Sequence, residues 1–281
     1  FNTKGQLKNG IFELAGNVSS QYITGLLLSL PLLKNSSSII LTSPLESSGY
    51  VDITIDVLSK YDVEIKRIEN GFIIPGNARY HSSGKADVEK DWSNAAFFLC
   101  AGALSEKGVT VEGLNTASYQ KDRIVLDILK KMGANVSVQS NFITVKRNRL
   151  SATDIDASEI PDLVPIISLI ASVSEGTTCI FNAKRLRIKE SDRLSSTCDM
   201  LKKLGASIEE RKDSLVIKGK SILDGGIVYS HNDHRIAMTA AIASIVTKDT
   251  VTIKDAQAVN KSYPAFFNDF VKIGGITERI K

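Results

Sequence analysis

Leu126-Asp-Ile-Leu-Lys-Lys-Met-Gly-Ala-Asn-Val136 returns further along the chain as Cys198-Asp-Met-Leu-Lys-Lys-Leu-Gly-Ala-Ser-Ile208. An earlier form of it is Ile55-Asp-Val-Leu-Ser-Lys-Tyr-Asp-Val-Glu-Ile65. Each stretch reads as the end of an amphipathic helix running into a strand. Gly133 and Gly205 stand where a helix C-terminus favours a left-handed residue. A weaker fourth copy is Phe266-Phe-Asn-Asp-Phe-Val-Lys-Ile-Gly274. The copies fall roughly 70 residues apart, the length of a supersecondary unit rather than of a chance echo.

Outward from these stretches every unit reads alike. A short strand comes first, as in Ile11–Leu14 or Gly226–Tyr229. A long apolar helix follows, as in Asn94–Leu104, Leu163–Val173 or Ile236–Val246. A β-branched strand comes next: Ser38–Leu41, Val109–Glu112, Thr177–Ile180 or Thr250–Ile253. A second helix and a two-stranded turn close the unit, the turns lying at Glu69-Asn70-Gly71, Ser140-Asn141 and Lys212-Asp213. The first helices are apolar nearly all round, which marks a helix as buried. The expected fold is α/β: repeated βαβαββ units with helices inside and sheets outside, an inside-out barrel. One unit is expected in residues 1–88 and three in residues 89–281, in two domains. The leading unit lacks companions, so its helix from Tyr22 to Leu33 is expected to show apolar surface.

The 281 residues, 43% of them hydrophobic and 23% charged, suffice for domains with their own cores. A net charge of +4 suits small anions and not nucleic acid, which calls for a strong basic stripe. The longest apolar run, Ile23 to Leu33, is too short to span a bilayer. Cys100, Cys179 and Cys198 have no CxxC spacing and read as thiols of a reducing compartment, hence a cytoplasmic protein. His81, His231 and His234 form no metal pattern, and no Gly-rich nucleotide loop is present.

Polar residues collect where the first helices begin: Ser19-Ser20, Asp91, Asp162 and Asp233. N-capping explains such residues in general, and Asp91 in particular. Arg235 falls in the first turn of its helix, where the dipole disfavours a cation unless an anion sits there too. Arg185, Arg187, Lys189 and Arg193, with Glu190 and Asp192, crowd the start of a second helix. They read either as a solvated, salt-bridged face or as an anion site. Lys261 holds the matching place in the last unit. Ser19-Ser20-Gln21 before a helix suits a phosphate, with simple capping as the alternative.

Taken together, Gly16-Asn-Val-Ser19-Ser20-Gln21, Pro161-Asp162, Lys189-Glu190-Ser-Asp192-Arg193-Leu194, Asn232-Asp233-His234-Arg235-Ile-Ala-Met238 and Lys261-Ser-Tyr-Pro264 resemble the EPSP synthase family of enolpyruvyl transferases. The resemblance runs along essentially the whole chain. It implies two domains of three units each with an active site between them, closing about a hinge near Gly84–Asp91, and an enzyme of the shikimate pathway that is a glyphosate target. The substrates it implies are the small molecules shikimate 3-phosphate and phosphoenolpyruvate. It implies that Ser19, Ser20, Gln21, Ser47, Tyr50, Asp162 and Lys189 hold shikimate 3-phosphate. Gln21, Arg193, Arg235 and Lys261 would hold phosphoenolpyruvate. Asp162 and Glu190 would be the catalytic pair. No cofactor, metal, nucleic acid or membrane is implied, and a monomer is expected. Where the family often has Asn, this chain has Arg185. The family's N-terminal lysine and glycine-bearing loop have no match, so the chain alone is expected to lack turnover.

The chemistry needs a proton taken from a hydroxyl and one given to a methylene carbon, which two carboxylates in different surroundings can divide. Asp162, read at a helix N-terminus, is expected to stay ionised. For Glu190 the neighbouring cations and burial pull in opposite directions. Rival readings are a UDP-N-acetylglucosamine enolpyruvyl transferase of the same architecture, and a non-catalytic fragment of the same fold.

Overall fold

The computed structural model describes residues 4–280. The chain divides into two compact units: the part up to Val88 together with Tyr119–Lys121, and Glu89–Ser118 together with the part from Asp122 onward. The three residues Tyr119–Lys121 thus group with the first unit, although the sequence reading placed them in the second domain.

In the first unit β1 (Ile11–Leu14), α1 (Ser20–Ser29), β2 (Ser37–Leu41), α2 (Ser48–Lys60), β3 (Lys66–Ile68) and β4 (Gly71–Ile74) follow one another. β1 and β2 run parallel, a pairing that needs the α1 crossover between them. β4 pairs antiparallel with β2, and β3 with β4, in the order β1-β2-β4-β3. Gly71 turns the hairpin at φ 151°, and a Cβ there would lie 1.9 Å from the Ile39 carbonyl oxygen. Ile39, Phe72 and Ile74 of the sheet pack with Ile23 and Leu27 of α1 and Val51 and Leu58 of α2. α1 buries only Ser20, Ile23 and Leu27. Tyr22 and Leu28 on its other faces, and Leu32 just beyond it, are exposed.

The second unit runs α3 (Trp92–Leu104), β5 (Val109–Glu112), α4 (Val125–Lys131), β6 (Asn135–Gln139), β7 (Phe142–Lys146), β8 (Ile155–Asp156), α5 (Val164–Ser172), β9 (Thr177–Phe181), α6 (Arg193–Lys203), β10 (Ser207–Glu210), β11 (Leu215–Lys218), β12 (Gly226–Tyr229), α7 (His234–Ala243), β13 (Val251–Lys254) and α8 (Phe266–Lys272). All nine residues of α5 and all ten of α7 are buried, as are all but two of α3. These three helices pack on one another. The sheets β5-β7-β6, β10-β11-β9-β8 and β12-β13 lie outside them. Thr178 and Ile180 of β9 are buried while Thr177 and Phe181 are exposed and Cys179 is half-buried, the period of a half-buried strand. Inside α5 the Ser168 and Ser172 hydroxyls donate to the Val164 and Ser168 carbonyls at 2.7 and 2.8 Å, which satisfies polar groups water cannot reach.

The last repeat departs from the pattern. After β13 come a 3-10 turn at Ala256–Lys261 and α8, with no closing hairpin among the described residues. Phe266 of α8 packs instead on Phe98 and Phe97 of α3, with ring centroids 5.5 and 6.4 Å apart. The end of the unit is thereby fastened to its beginning.

Candidate active site

Three chain segments meet at the N-terminal ends of α5, α6 and α7. Asp233 caps α7 by accepting from the Arg235 amide at 2.9 Å, and Asp192 caps α6 through the Ser195 amide at 3.2 Å. Asp162 does not cap its helix. α5 starts at Val164 with Leu163 in the cap position, and Asp162 lies in the turn before it. Its carboxylate is turned to two arginines: Oδ1 accepts from Arg193 Nη1 and Oδ2 from Arg235 Nη2, both at 2.8 Å.

Arg193 is the hub. Its side chain is fully buried, and it donates to three carboxylates. Nε bonds Asp233 at 2.9 Å, Nη1 bonds Asp162 and Nη2 bonds Glu190. Ser191 adds a bond to Asp233 at 3.1 Å. Arg235, buried to 6% exposure, is arranged differently. Nη2 has its bond to Asp162, while Nε and Nη1 are buried with no hydrogen-bond partner. Its guanidinium lies 5.9 Å from the Phe97 ring centroid. Buried donors without partners are rare in folded proteins, and each calls for an acceptor such as a water, an ion or a ligand.

The fields divide the carboxyls. Burial works to raise Asp162, but Arg235, Arg193 and Lys189 outweigh it and hold this carboxyl well below the usual range. Asp162 is ionised, as expected, yet paired arginines and not a helix dipole make it so. Burial also works to raise Asp233, and Arg193 brings it down. Asp122 goes the other way. It is 3% exposed, burial and then Asp162 push it up, and the Ser93 hydroxyl bonded to it lowers it only in part, leaving it at about 6. Lys189 is lowered, by burial first, with Asp162 opposing. His234 is lowered by burial and Arg235, and its buried Nδ1 has no hydrogen-bond partner.

The remaining expected residues fall in two places. Lys261 is exposed and donates to the carbonyl of Asn232, beside the α7 cap. Ser19, Ser20, Gln21, Ser47 and Tyr50 all lie in the first unit, at the starts of α1 and α2. Those two helices start side by side. The Glu46 amide donates to the Gly16 carbonyl at 3.1 Å, and Thr24 and Thr54 bond across at 3.0 Å. A Cβ at Gly16 would lie 2.7 Å from the Ser43 carbonyl oxygen, so only glycine lets the two loops approach. Ser19 caps α1 by accepting from the Gln21 amide. Ser47 is buried at φ 53°, a left-handed conformation rare outside glycine and frequent at functional sites.

Sequence reasoning missed several of these residues. Asp122 sits in Gln120-Lys-Asp-Arg123, which reads as a solvated charged stretch. Asp233 reads as more than a cap but gains no partner from the sequence, because nothing local shows that Arg193 meets it from 40 residues away. Arg187, grouped with the anion-binding cations, is taken up by protein acceptors instead: Asp192, Glu210 and two turn carbonyls. Among the described residues no group of three or more His, Cys, Asp or Glu could hold a metal ion, and no helix is long and apolar enough to cross a membrane.

The sequence matches the family described as EPSP synthase (3-phosphoshikimate 1-carboxyvinyltransferase) over residues 2–270. A 3-phosphoshikimate 1-carboxyvinyltransferase of Clostridium novyi (strain NT) is 50% identical over 275 residues, covering 98% of this chain and 63% of that protein. One from Clostridium acetobutylicum is 49% identical over 273 residues, covering 97% of this chain and 63% of its own length. The solved EPSP synthase of Acinetobacter baumannii superposes with a TM-score of 0.83 at 27% identity, over 97% of this chain and 64% of that one. The chain thus spans somewhat less than two thirds of these proteins. With the family match running over nearly all of its length, the chain belongs to the EPSP synthase family.

Proposed function

We propose that the protein transfers the enolpyruvyl group of phosphoenolpyruvate to the 5-hydroxyl of shikimate 3-phosphate and releases phosphate. The observation that carries this reading is Arg235, with two buried, unpartnered donors beside the ionised Asp162. The names of the relatives supply 3-phosphoshikimate and the carboxyvinyl group, and the family resemblance supplies phosphoenolpyruvate as the donor. The planar fork of Arg235 suits the carboxylate or phosphate of phosphoenolpyruvate, and Lys261 adds a point charge. Arg193 has given its donors to Asp233, Asp162 and Glu190. It reaches phosphoenolpyruvate by exchange: the ligand's carboxylate replaces that of Glu190, and the charge balance is kept. Lys189 of the second unit holds shikimate 3-phosphate; the family resemblance alone assigns Ser19, Ser20, Gln21, Ser47 and Tyr50 of the first unit to the same ligand.

The steps then balance. The substrate hydroxyl oxygen bonds C2 of the enol phosphate while its proton passes to Asp162. C3 takes a proton, for which the displaced Glu190 is the partner. Asp162 is a weak base, so it accepts the proton only as the C–O bond forms and acidifies the hydroxyl. C3 then gives its proton back to Glu190 as the C2–O bond to phosphate breaks, and the departing phosphate carries away the proton held by Asp162. Arg193, Arg235 and Lys189 oppose the negative charge throughout, the effect that usually contributes most to such barriers. On this reading the protein is a cytoplasmic monomer that needs no redox or metal cofactor.

Asp162→Asn tests the assignment. It keeps the shape and removes the basicity, so in the intact enzyme kcat should fall at least ~100-fold while shikimate 3-phosphate still binds by calorimetry. Lost binding with kcat intact at saturation would make Asp162 an anchor and not the base.

A further inference from the structure

Arg187 touches none of the residues assigned above to substrate, yet it brackets the loop that carries two of them. It lies in the 3-10 turn Lys184–Ile188, two positions before Lys189. Along one edge of its guanidinium, Nε donates to the Lys212 carbonyl at 2.9 Å and Nη2 to the Arg211 carbonyl at 2.7 Å. From the other edge, Nη1 donates to Asp192 Oδ2 at 2.9 Å and Glu210 Oε1 at 2.8 Å. Asp192 is the cap of α6, whose first residue is Arg193. Glu210 in turn accepts from the Ser195 hydroxyl at 2.9 Å. One side chain therefore ties the upstream end of Ile188-Lys189-Glu190-Ser191 to its downstream end, and both to the turn between β10 and β11. The loop has little apolar anchorage, since Ile188 is 67% exposed. Its other described tethers are Ser191, on Asp233 and Ser196, and the Glu190 carboxylate, on Arg193.

We propose that Arg187 is a positioning residue: it fixes the loop that presents Lys189 and Glu190, and the start of the helix that carries Arg193, without touching substrate. The inference rests on the reading of Lys189 as an anchor for shikimate 3-phosphate. Arginine is required because four acceptors lie along two edges of one plane. A lysine ammonium is a point charge and cannot span them. Half-exposed ion pairs add little to stability, so the signature belongs in substrate binding more than in melting temperature.

The test is a double-mutant cycle in the intact enzyme, with Arg187→Ala, Lys189→Met and the pair, reading kcat, KM for shikimate 3-phosphate and Tm. Arg187→Ala should raise that KM about tenfold or more, and Arg187→Lys should recover only a small part of the loss. The double variant should be within about threefold of Lys189→Met alone, because both changes disable one anchor. Effects that multiply independently, or a KM unchanged in Arg187→Ala, would overturn the proposal. An unchanged KM in Lys189→Met would overturn the reading of Lys189 beneath it, and is recognisable as such from that single variant. Should Arg187→Ala fail to fold, Arg187→Gln, which keeps a donor for Asp192, goes through the same cycle with the same criteria.

Discussion

Arg235 and Asp122 are two buried groups whose settings oppose stability. Arg235 keeps two donors buried and unpartnered, and each such group costs about 1–3 kcal/mol. Arg235→Lys retains the charge beside Asp162 and removes the fork. We expect kcat/KM for phosphoenolpyruvate to fall by about 3 kcal/mol, roughly two orders of magnitude, with Tm held or raised. An unchanged specificity constant would reject the ligand role. Asp122 holds its proton to about 6 in the folded protein, whereas an unfolded chain releases it near pH 4. The folded state therefore binds the proton more tightly. Stability from this group is fully present below about pH 4 and is lost as pH rises through 6. Asp122→Asn cannot ionise and keeps an acceptor for Ser93. It should stabilise the protein at pH 7.5 by up to about 3 kcal/mol and do nothing near pH 4, as read by urea unfolding at both pH values. Equal effects at the two would show that ionisation is not the cause.

At the scale of the element, the inner helices show why pattern alone does not set a tolerance. Gly102 lies within α3, where alanine would ordinarily gain about 1 kcal/mol of helix propensity. A Cβ there would stand 2.5 Å from the Val145 carbonyl oxygen and 3.0 Å from the Val109 amide, so β5 and β7 must move away. Overpacking of this kind typically costs about 1–3 kcal/mol, and the displaced atoms are strand backbone. Gly102→Ala should therefore destabilise the protein in urea, despite its better propensity. A stabilised variant would mean that the helix is free to shift. The helix starts divide on the same grounds. Asp91 and Asp233 cap α3 and α7 and were legible as caps from their place before an apolar run. Asp162 has the same local sequence character, but paired arginines from α6 and α7 claim its carboxylate, and α5 begins two residues later.

At the scale of the molecule, the two units have separate apolar cores, one around Ile23, Ile39 and Phe72, the other around α3, α5 and α7. Leu169, fully buried in α5, should cost about 2–5 kcal/mol when cut to alanine. Amide exchange should then quicken through the second unit and leave β2 and β4 of the first unchanged; a uniform rise would mean one cooperative core. The repeat was readable because it is written locally: a 3.6-residue period, β-branched runs and turn residues recur in each copy whatever surrounds them. So were Arg235 and Lys189 as unusual cations at helix starts. The sequence by itself thus determined the α/β repeat, the inner helices and the family. Only the tertiary structure decided that Arg193 is held by three carboxylates, that Arg187 bonds protein acceptors, and that Asp122 is a buried acid. Each of these depends on contacts between residues far apart in the chain, where charge and burial are set by neighbours that no local pattern records.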